Sequence, residues 1–145
     1  MPEPLRVVLD STVLVSAFLA EKKLSAELLR FARRGAFIVC STNSILAETQ
    51  RVLLEYPRIR RRYEYKDQKV LDYVQGLRVL ARLSTDLPPI KAVRDPEDDV
   101  VIATALASQA SHLVTRDKDL LSLRTHEGIT ITTPEDFMAV LRKRS

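Results

Sequence analysis

Short apolar runs alternate with amphipathic segments along most of the chain. Four runs have the length and β-branched character of buried strands, and polar residues stop each of them: Leu5 to Leu9, Ala36 to Cys40, His112 to Thr115 and Ile129 to Thr132. Helical spacing or helix start signals mark the segments between and after them: Val13 to Leu19, Ser25 to Arg34, Ser44 to Tyr56, Asp67 to Leu83, Pro96 to about Ser108 or Gln109, and Thr133 through Leu141. Strands that alternate with helices predict an α/β fold with a mostly parallel sheet and helices on both faces.

The length of 145 residues and the even composition predict a single domain that spans residues 1–145. No low-complexity tract, internal repeat or linker interrupts the pattern. The single cysteine, Cys40, cannot form an internal disulfide and fits a reducing compartment. Neither a signal peptide nor an apolar span of membrane length is present in the sequence, so we expect a soluble, cytoplasmic protein without a membrane partner.

The charge balance is mildly basic, with 23 Lys+Arg against 19 Asp+Glu and a net charge of +4. This excess alone is a weak indication of a polyanionic partner. The segment from Tyr56 to Lys66 is more specific because it concentrates arginines among three tyrosines: Arg58, Arg60, Arg61 and Arg62. Arginines beside stackable rings predict contacts with RNA, although a solvated basic helix or an acidic protein partner explains the segment nearly as well.

Four acidic residues stand where ligands bind in parallel sheets, or close to that position: Asp10, Glu48, Asp98 and Asp117. Asp10 and Asp117 follow strands directly, and the carboxyl ends of parallel strands share one edge. The helix of Asp98 starts there only if the extended connection before it returns to that edge. Each acid also has a local explanation. Asp10 and either Asp117 or Asp119 can be helix caps, Asp98 can complete a capping box with the cap Asp95, and Glu48 can be an ion-pair partner of Arg51.

Convergence of these carboxylates would require a cation to offset their repulsion. Carboxylate oxygens suit Mg²⁺ or Mn²⁺, and the chain has too few histidines and cysteines for a typical zinc site. Such an ion beside a basic surface indicates phosphate chemistry, in which the ion activates water for an in-line displacement. A receiver domain would need an acidic pair near the first strand, yet the next acid after Asp10 is Glu21. An aspartyl-nucleophile phosphatase would need an acid where Thr12 stands.

Four motifs, VVLDSTVLVSAF, SILAETQRVL, DPEDDVVIATALA and LVTRDKDLL, resemble in order and spacing the PIN-domain ribonucleases. The resemblance is to the toxin components of bacterial and archaeal toxin-antitoxin pairs, and it covers nearly the whole chain. It implies a three-layer α/β/α sandwich and Mg²⁺- or Mn²⁺-dependent cleavage of RNA. It also implies a homodimer and inhibition by a small antitoxin protein.

The resemblance assigns the acidic quartet of the family to Asp10, Glu48, Asp98 and Asp117. Asp98 is in register with the motif and Asp99 is one residue out, although helical phase alone does not decide between them. We expect Asp10, Asp98 and Asp117 to hold the first metal, and Glu48 to help a second ion or to position the attacking water. The products would carry a 5′-phosphate and a 3′-hydroxyl.

Several residues are expected to surround this metal site without necessarily binding the ion: Thr115, Thr12, Asp99, Asp95 and Asp119. Thr115 matches a polar residue of the family that could orient a metal-bound water, and Asp95 is predicted to be the helix cap. Many relatives have Asp-Thr-Asn where this chain has Asp10-Ser11-Thr12, so an amide contact is missing. A PIN fold that keeps its acids but only binds RNA or a protein partner is the alternative function.

Overall fold

The computed structural model describes residues 3–91 and 95–144. Ala92, Val93 and Arg94, at the end of the predicted extended connection, lie outside the described residues. The elements follow one another in the order β1 Leu5–Leu9, α1 Ser11–Leu19, α2 Leu24–Arg33, β2 Phe37–Ser41, α3 Asn43–Glu55, α4 Pro57–Arg62, α5 Asp67–Leu80, β3 Arg82–Leu83, α6 Pro96–Ala107, β4 His112–Val114, α7 Lys118–Leu123, β5 Thr125–His126, β6 Ile129–Thr132 and α8 Pro134–Arg144.

The strands form one sheet in the order β3-β2-β1-β4-β6-β5. All neighbouring pairs are parallel except β5 with β6. In the centre of the sheet, Val8 of β1 lies between Cys40 of β2 and Leu113 of β4. The predicted α/β class with a mostly parallel central sheet is confirmed, and helices flank the sheet in a three-layer α/β/α arrangement.

The central strands are buried because helices cover both faces of the sheet. Val7, Val8 and Leu9 of β1 are fully inaccessible to solvent. In this core, Phe37 of β2 and Phe137 of α8 pack edge to face, with their ring centroids 5.2 Å apart. Among the described residues, no helix is long and apolar enough to cross a membrane.

Three short elements and one helix end differ from the predicted pattern. The helix predicted over Asp67 to Leu83 ends at Leu80, and Arg82–Leu83 instead pair with Cys40 and Ser41 as strand β3. The basic segment begins with a short helix, α4, and β5 adds an antiparallel edge strand. None of these differences changes the central strands. The candidate site lies at the ends of these strands.

Candidate active site

The site lies at the point where the strand order reverses direction. From β1 the chain continues to β2 on one side, and the later strand β4 pairs with the other side of β1. Ligands of open α/β sheets bind in the crevice outside the carboxyl ends of strands at such a point. Asp10 follows β1 here, and Asp117 lies three residues after the end of β4.

Asp10 is the N-cap of α1 and is only 4% exposed. Its Oδ1 accepts the Ser11 N–H at 2.7 Å, and its Oδ2 accepts the hydroxyls of Thr12 at 3.0 Å and Thr115 at 2.7 Å. Burial raises the pKa of Asp10, and these hydrogen bonds oppose that shift. The carboxylate is therefore both buried and held in one orientation.

Two threonine hydroxyls join the loop after β1 to the loop after β4. Besides donating to Asp10, Thr115 Oγ1 accepts the Asp117 N–H at 3.0 Å, and Thr12 Oγ1 accepts the Arg116 N–H at 3.2 Å. Thr115 is fully buried and Thr12 is exposed. These contacts set the position of Asp10 relative to Asp117. A role of Thr115 in orienting a metal-bound water stays a prediction.

Asp117 is the N-cap of α7, as one of the sequence alternatives had it. Its Oδ1 accepts the N–H groups of Asp119 at 2.8 Å and Leu120 at 3.2 Å. Asp98, Asp117 and Asp119 each offer one carboxylate oxygen, and these three oxygens lie within 4.8 Å of one another. Asp117 therefore caps α7 and also belongs to a carboxylate cluster, which includes Asp119.

The first turn of α6 brings Asp98 to the same place. Asp95 is the N-cap, as predicted, and accepts the Glu97 N–H at 2.9 Å. Asp98 is 8% exposed, and burial together with the negative charges of Asp117 and Asp10 raises its pKa to about 7. Its neighbour Asp99 instead lines a separate groove beside the proline-rich connection. The structure therefore places Asp98, and not Asp99, beside the other acids.

We name the space between these elements the acidic cavity. Its volume is about 430 Å³, and its wall includes six acidic residues and one basic residue: Asp10, Glu48, Asp95, Glu97, Asp98, Asp117 and Arg51. All four acids of the predicted quartet thus lie on one cavity, although they come from four separate places in the chain. Sequence reasoning considered Arg51 only as an ion-pair partner and did not single out Glu97.

Glu48 lies at the acidic cavity and is paired with Arg51, as one of the sequence alternatives had it. A role of Glu48 towards a second ion or the attacking water stays a prediction. Arg51 Nη2 donates to Glu48 Oε1 at 2.7 Å and to Oε2 at 2.9 Å, and Nε donates to Oε2 at 3.1 Å. Hydrogen bonds to Glu48 raise the pKa of Arg51, so its charge does not change over the working pH range. The Arg51 guanidinium carbon also lies 5.4 Å from the centre of the Tyr56 ring.

Comparison with known proteins supplies the family. A model of the PIN domain matches residues 6–119, which include every acid on the cavity wall. The chain belongs to the PIN-domain family. PIN domains are generally nucleases, which agrees with a cavity of carboxylates at the carboxyl ends of parallel strands.

Two solved structures share the fold at low sequence identity. PAE2754 from Pyrobaculum aerophilum is 15% identical, with a TM-score of 0.65 over 96% of this chain and 90% of that chain. VapBC2 from Rickettsia felis, bound to a DNA fragment from their promoter, is 14% identical, with a TM-score of 0.56 over 87% of this chain and 96% of that chain. No curated protein matches this PIN domain.

The basic segment of this PIN domain lies outside the acidic cavity. Arg58, Arg61 and Arg62 are exposed on α4, but none of them lines the cavity. Arg60 is only partly exposed: it donates to the carbonyls of Leu53 and Tyr65, each at 3.3 Å, and pairs with Asp67 at 2.8 Å. Its guanidinium carbon lies 4.6 Å from the centre of the Tyr65 ring. Since Arg60 makes these internal contacts and is only partly exposed, its contact with RNA stays a prediction.

The donor set of the acidic cavity fits a hard divalent cation. The candidate ligands on Asp10, Asp98 and Asp117 are all carboxylate oxygens, which Mg²⁺ and Mn²⁺ prefer. Two carboxylates about 4 Å apart repel each other by roughly 4 kcal/mol at an effective dielectric constant of 20. A bound cation would offset the carboxylate repulsion that, in addition to burial, raises the pKa of Asp98.

Proposed function

We propose that this PIN domain is a metal-dependent endoribonuclease that hydrolyses RNA phosphodiester bonds in the acidic cavity. The observation that carries the proposal is the convergence of Asp10, Glu48, Asp98 and Asp117 on one cavity wall in a member of a nuclease family. The described cavity wall has no cysteine or histidine, so hydrolysis by an activated water suits its chemistry. The expected products are a 5′-phosphate end and a 3′-hydroxyl end.

Asp10, Asp98 and Asp117 would hold Mg²⁺ or Mn²⁺. When bound, such an ion activates water and stabilises negative charge on the phosphodiester oxygens. The chain itself supplies orientation: Thr115 and Thr12 hold the Asp10 carboxylate, and the backbone N–H groups of α7 hold Asp117. Preorganised ligands of this kind do not have to be reoriented when the ion binds.

The RNA strand would contact the positive side chains of the basic segment, Tyr56 to Lys66. Arg58, Arg61 and Arg62 are exposed on α4 and can contact phosphates, whereas Arg60 is held by its internal contacts. α4 directly follows α3, the helix that carries Glu48 to the cavity. Phosphate contacts by Arg58 and Arg62 would contribute affinity without sequence preference.

A small antitoxin protein and a second copy of this chain are the partners that we propose, and the cytoplasm is the expected location. The sequence resemblance to toxins of toxin-antitoxin pairs supports the first partner, together with the fold likeness to VapBC2. Light scattering of the purified protein would give its mass. A mass of one chain at all concentrations would contradict the homodimer.

Cleavage of a mixed single-stranded RNA pool by purified protein tests the activity. We expect cuts with Mn²⁺, none with EDTA, and none by Asp10→Asn or Asp98→Asn. Asp99→Asn is the matched control, since it removes the same charge one residue away on a side chain that lines a different groove. This variant should retain cleavage.

Other outcomes of this experiment would contradict the proposal in different ways. Metal-dependent cleavage retained by Asp10→Asn would contradict the assignment of the site. If folded wild-type protein binds RNA or a protein partner but makes no cuts with Mn²⁺, the chain is a binding module and not a nuclease.

A further inference from the structure

Arg51 occupies an electrostatic position that no other residue on the described wall of the acidic cavity shares. Six carboxylates line that wall, and Arg51 is its one basic side chain. A phosphodiester that enters the cavity is repelled by the carboxylates, and a single divalent ion offsets only part of their charge. A positive side chain on the wall would lower this barrier for an anionic substrate.

The pair with Glu48 leaves one nitrogen of the Arg51 guanidinium outside it. Its three hydrogen bonds with Glu48 use Nε and Nη2, so Nη1 is outside that pair. The Arg51 side chain is 44% exposed, which permits access from solvent. Arginine binds phosphate well because its planar fork donates more than one hydrogen bond at a time.

Two neighbours restrict the position of the Arg51 side chain. Glu48, one turn earlier on α3, binds it through both carboxylate oxygens, and the Tyr56 ring lies 5.4 Å from its guanidinium carbon. A long side chain held in this way loses less conformational entropy when it binds a ligand than a mobile one. The pair is therefore suited to present a fixed positive group to the cavity.

We propose that Arg51 binds a phosphate of the RNA strand at the acidic cavity, and that Glu48 is a positioning residue that holds Arg51 there. This inference rests on the proposed nuclease function and adds a substrate contact to it. Glu48 is thereby assigned to the guanidinium, and not to a second ion or to the attacking water.

RNA affinity tests the assignment of Arg51. A fluorescein-labelled single-stranded RNA is titrated by anisotropy with Mn²⁺ in the Asp10→Asn background, so that the RNA stays intact. Adding Arg51→Gln should weaken binding about tenfold, the loss expected for a charge-assisted hydrogen bond. The slope of log affinity against log salt should fall by about 0.7, the value for one phosphate contact on a single strand.

The matched control is Arg34→Gln. Arg34 is exposed at the end of α2, before β2 begins, and therefore stands at the amino-terminal edge of the sheet, away from the acidic cavity. This variant makes the same charge change and should leave both the affinity and the salt slope as they are. Arg51→Lys keeps the charge but loses the fork, and it should recover only part of the affinity.

Cleavage kinetics in the otherwise unmodified protein test the role of Glu48. If Glu48 positions Arg51, Glu48→Gln raises the KM for RNA and leaves the Mn²⁺ concentration for half-maximal activity unchanged. If Glu48 holds an ion, the Mn²⁺ requirement rises, and the positioning role is wrong. Combining Glu48→Gln with Arg51→Gln should add little to the KM effect of Arg51→Gln, because both changes affect the same contact.

The failure of this inference is distinguishable from the failure of the proposed function. RNA binding with unchanged affinity and salt slope in Arg51→Gln, while the wild type still cleaves, would overturn the Arg51 contact alone. Wild-type protein that neither binds nor cleaves RNA would overturn both.

Discussion

Asp98 is a nearly buried carboxylate beside other carboxylates, and its pKa of about 7 has a consequence for stability. An unfolded Asp loses its proton near its ordinary pKa of 3.8. Between that pH and about 7, the folded protein keeps the proton that the unfolded chain has released. The metal-free fold therefore loses stability as the pH rises through this window, and above it the full cost of the charge is present.

Replacing Asp98 with Asn should therefore stabilise the metal-free protein while it abolishes cleavage. At about pH 8 in EDTA, we expect the free energy of unfolding of Asp98→Asn to exceed that of the wild type by on the order of 1 kcal/mol. The gain should shrink towards about pH 4, where wild-type Asp98 is protonated in the folded protein and only partly ionised in the unfolded chain. Urea denaturation at both pH values measures it, with Asp99→Asn as the control. A gain that does not depend on pH would contradict the charge explanation.

Single residues also show where sequence reasoning reached its limit. Asp10 and Asp117 could be placed because each closely follows a predicted strand, and parallel strand ends share an edge. Asp98 and Asp99 could not be separated, because α6 continues as an almost uniformly apolar run from Val100 to Ala107. When a helix has no distinct polar face, its sequence does not show which side of the helix faces the core. The register of the family motif favoured Asp98, and the structure places it on the cavity.

Arg60 acts between elements, since its contacts reach residues of α3, of the loop after α4 and of α5. It binds the Leu53 and Tyr65 carbonyls and pairs with Asp67 at the start of α5. An arginine with two carbonyl partners and a partly buried stem contributes to packing as well as to charge balance. Arg58, Arg61 and Arg62 of the same helix are exposed.

Arg60→Ala should reduce stability, whereas Arg58→Ala should reduce RNA affinity. For Arg60→Ala we expect a loss of about 1 to 2 kcal/mol in the free energy of unfolding, because two backbone carbonyls lose their donor. Exposed Arg58→Ala should stay within about 0.5 kcal/mol of the wild type. Urea denaturation and RNA anisotropy on both variants measure the two effects. Equal stability of the two variants would contradict a structural role for Arg60.

The shortest elements were the ones that periodicity could not predict. The apolar positions of α5 continue through Leu83, so nothing in the sequence marks the end of the helix at Leu80. Strand β3 exists because Arg82 and Leu83 find open partners on β2, which is a tertiary effect. The β5–β6 hairpin has one turn signal in the sequence, Gly128. In the structure Glu127 and Gly128 both have positive φ, as a two-residue turn requires.

At the scale of the whole molecule, the site is a consequence of topology. The order β3-β2-β1-β4-β6-β5 sets β1 and β4 side by side, so residues that are more than 100 apart in sequence share a hydrogen bond: Thr115 donates to Asp10. The alternation of strands and helices was sufficient to predict this edge. It was insufficient to predict the return of the chain to α6, because the described part of the connection after β3, residues 84–91, has no helix or strand to indicate its direction.

Because the carboxylates come from the residue after β1, from α6 and from the loop after β4, a cation bound by them should stabilise the fold as a whole. Binding to the folded state alone adds about 2.7 kcal/mol at a ligand concentration 100 times Kd. We therefore expect Mn²⁺ to raise the Tm of the EDTA-treated protein in a concentration-dependent way. The rise in Tm with Ca²⁺ or Mg²⁺ should depend on how tightly each of these ions binds. The rise should be lost in Asp10→Asn and Asp117→Asn and kept in Asp99→Asn. A Tm that Mn²⁺ leaves unchanged up to millimolar concentration would contradict a metal site formed by these carboxylates alone.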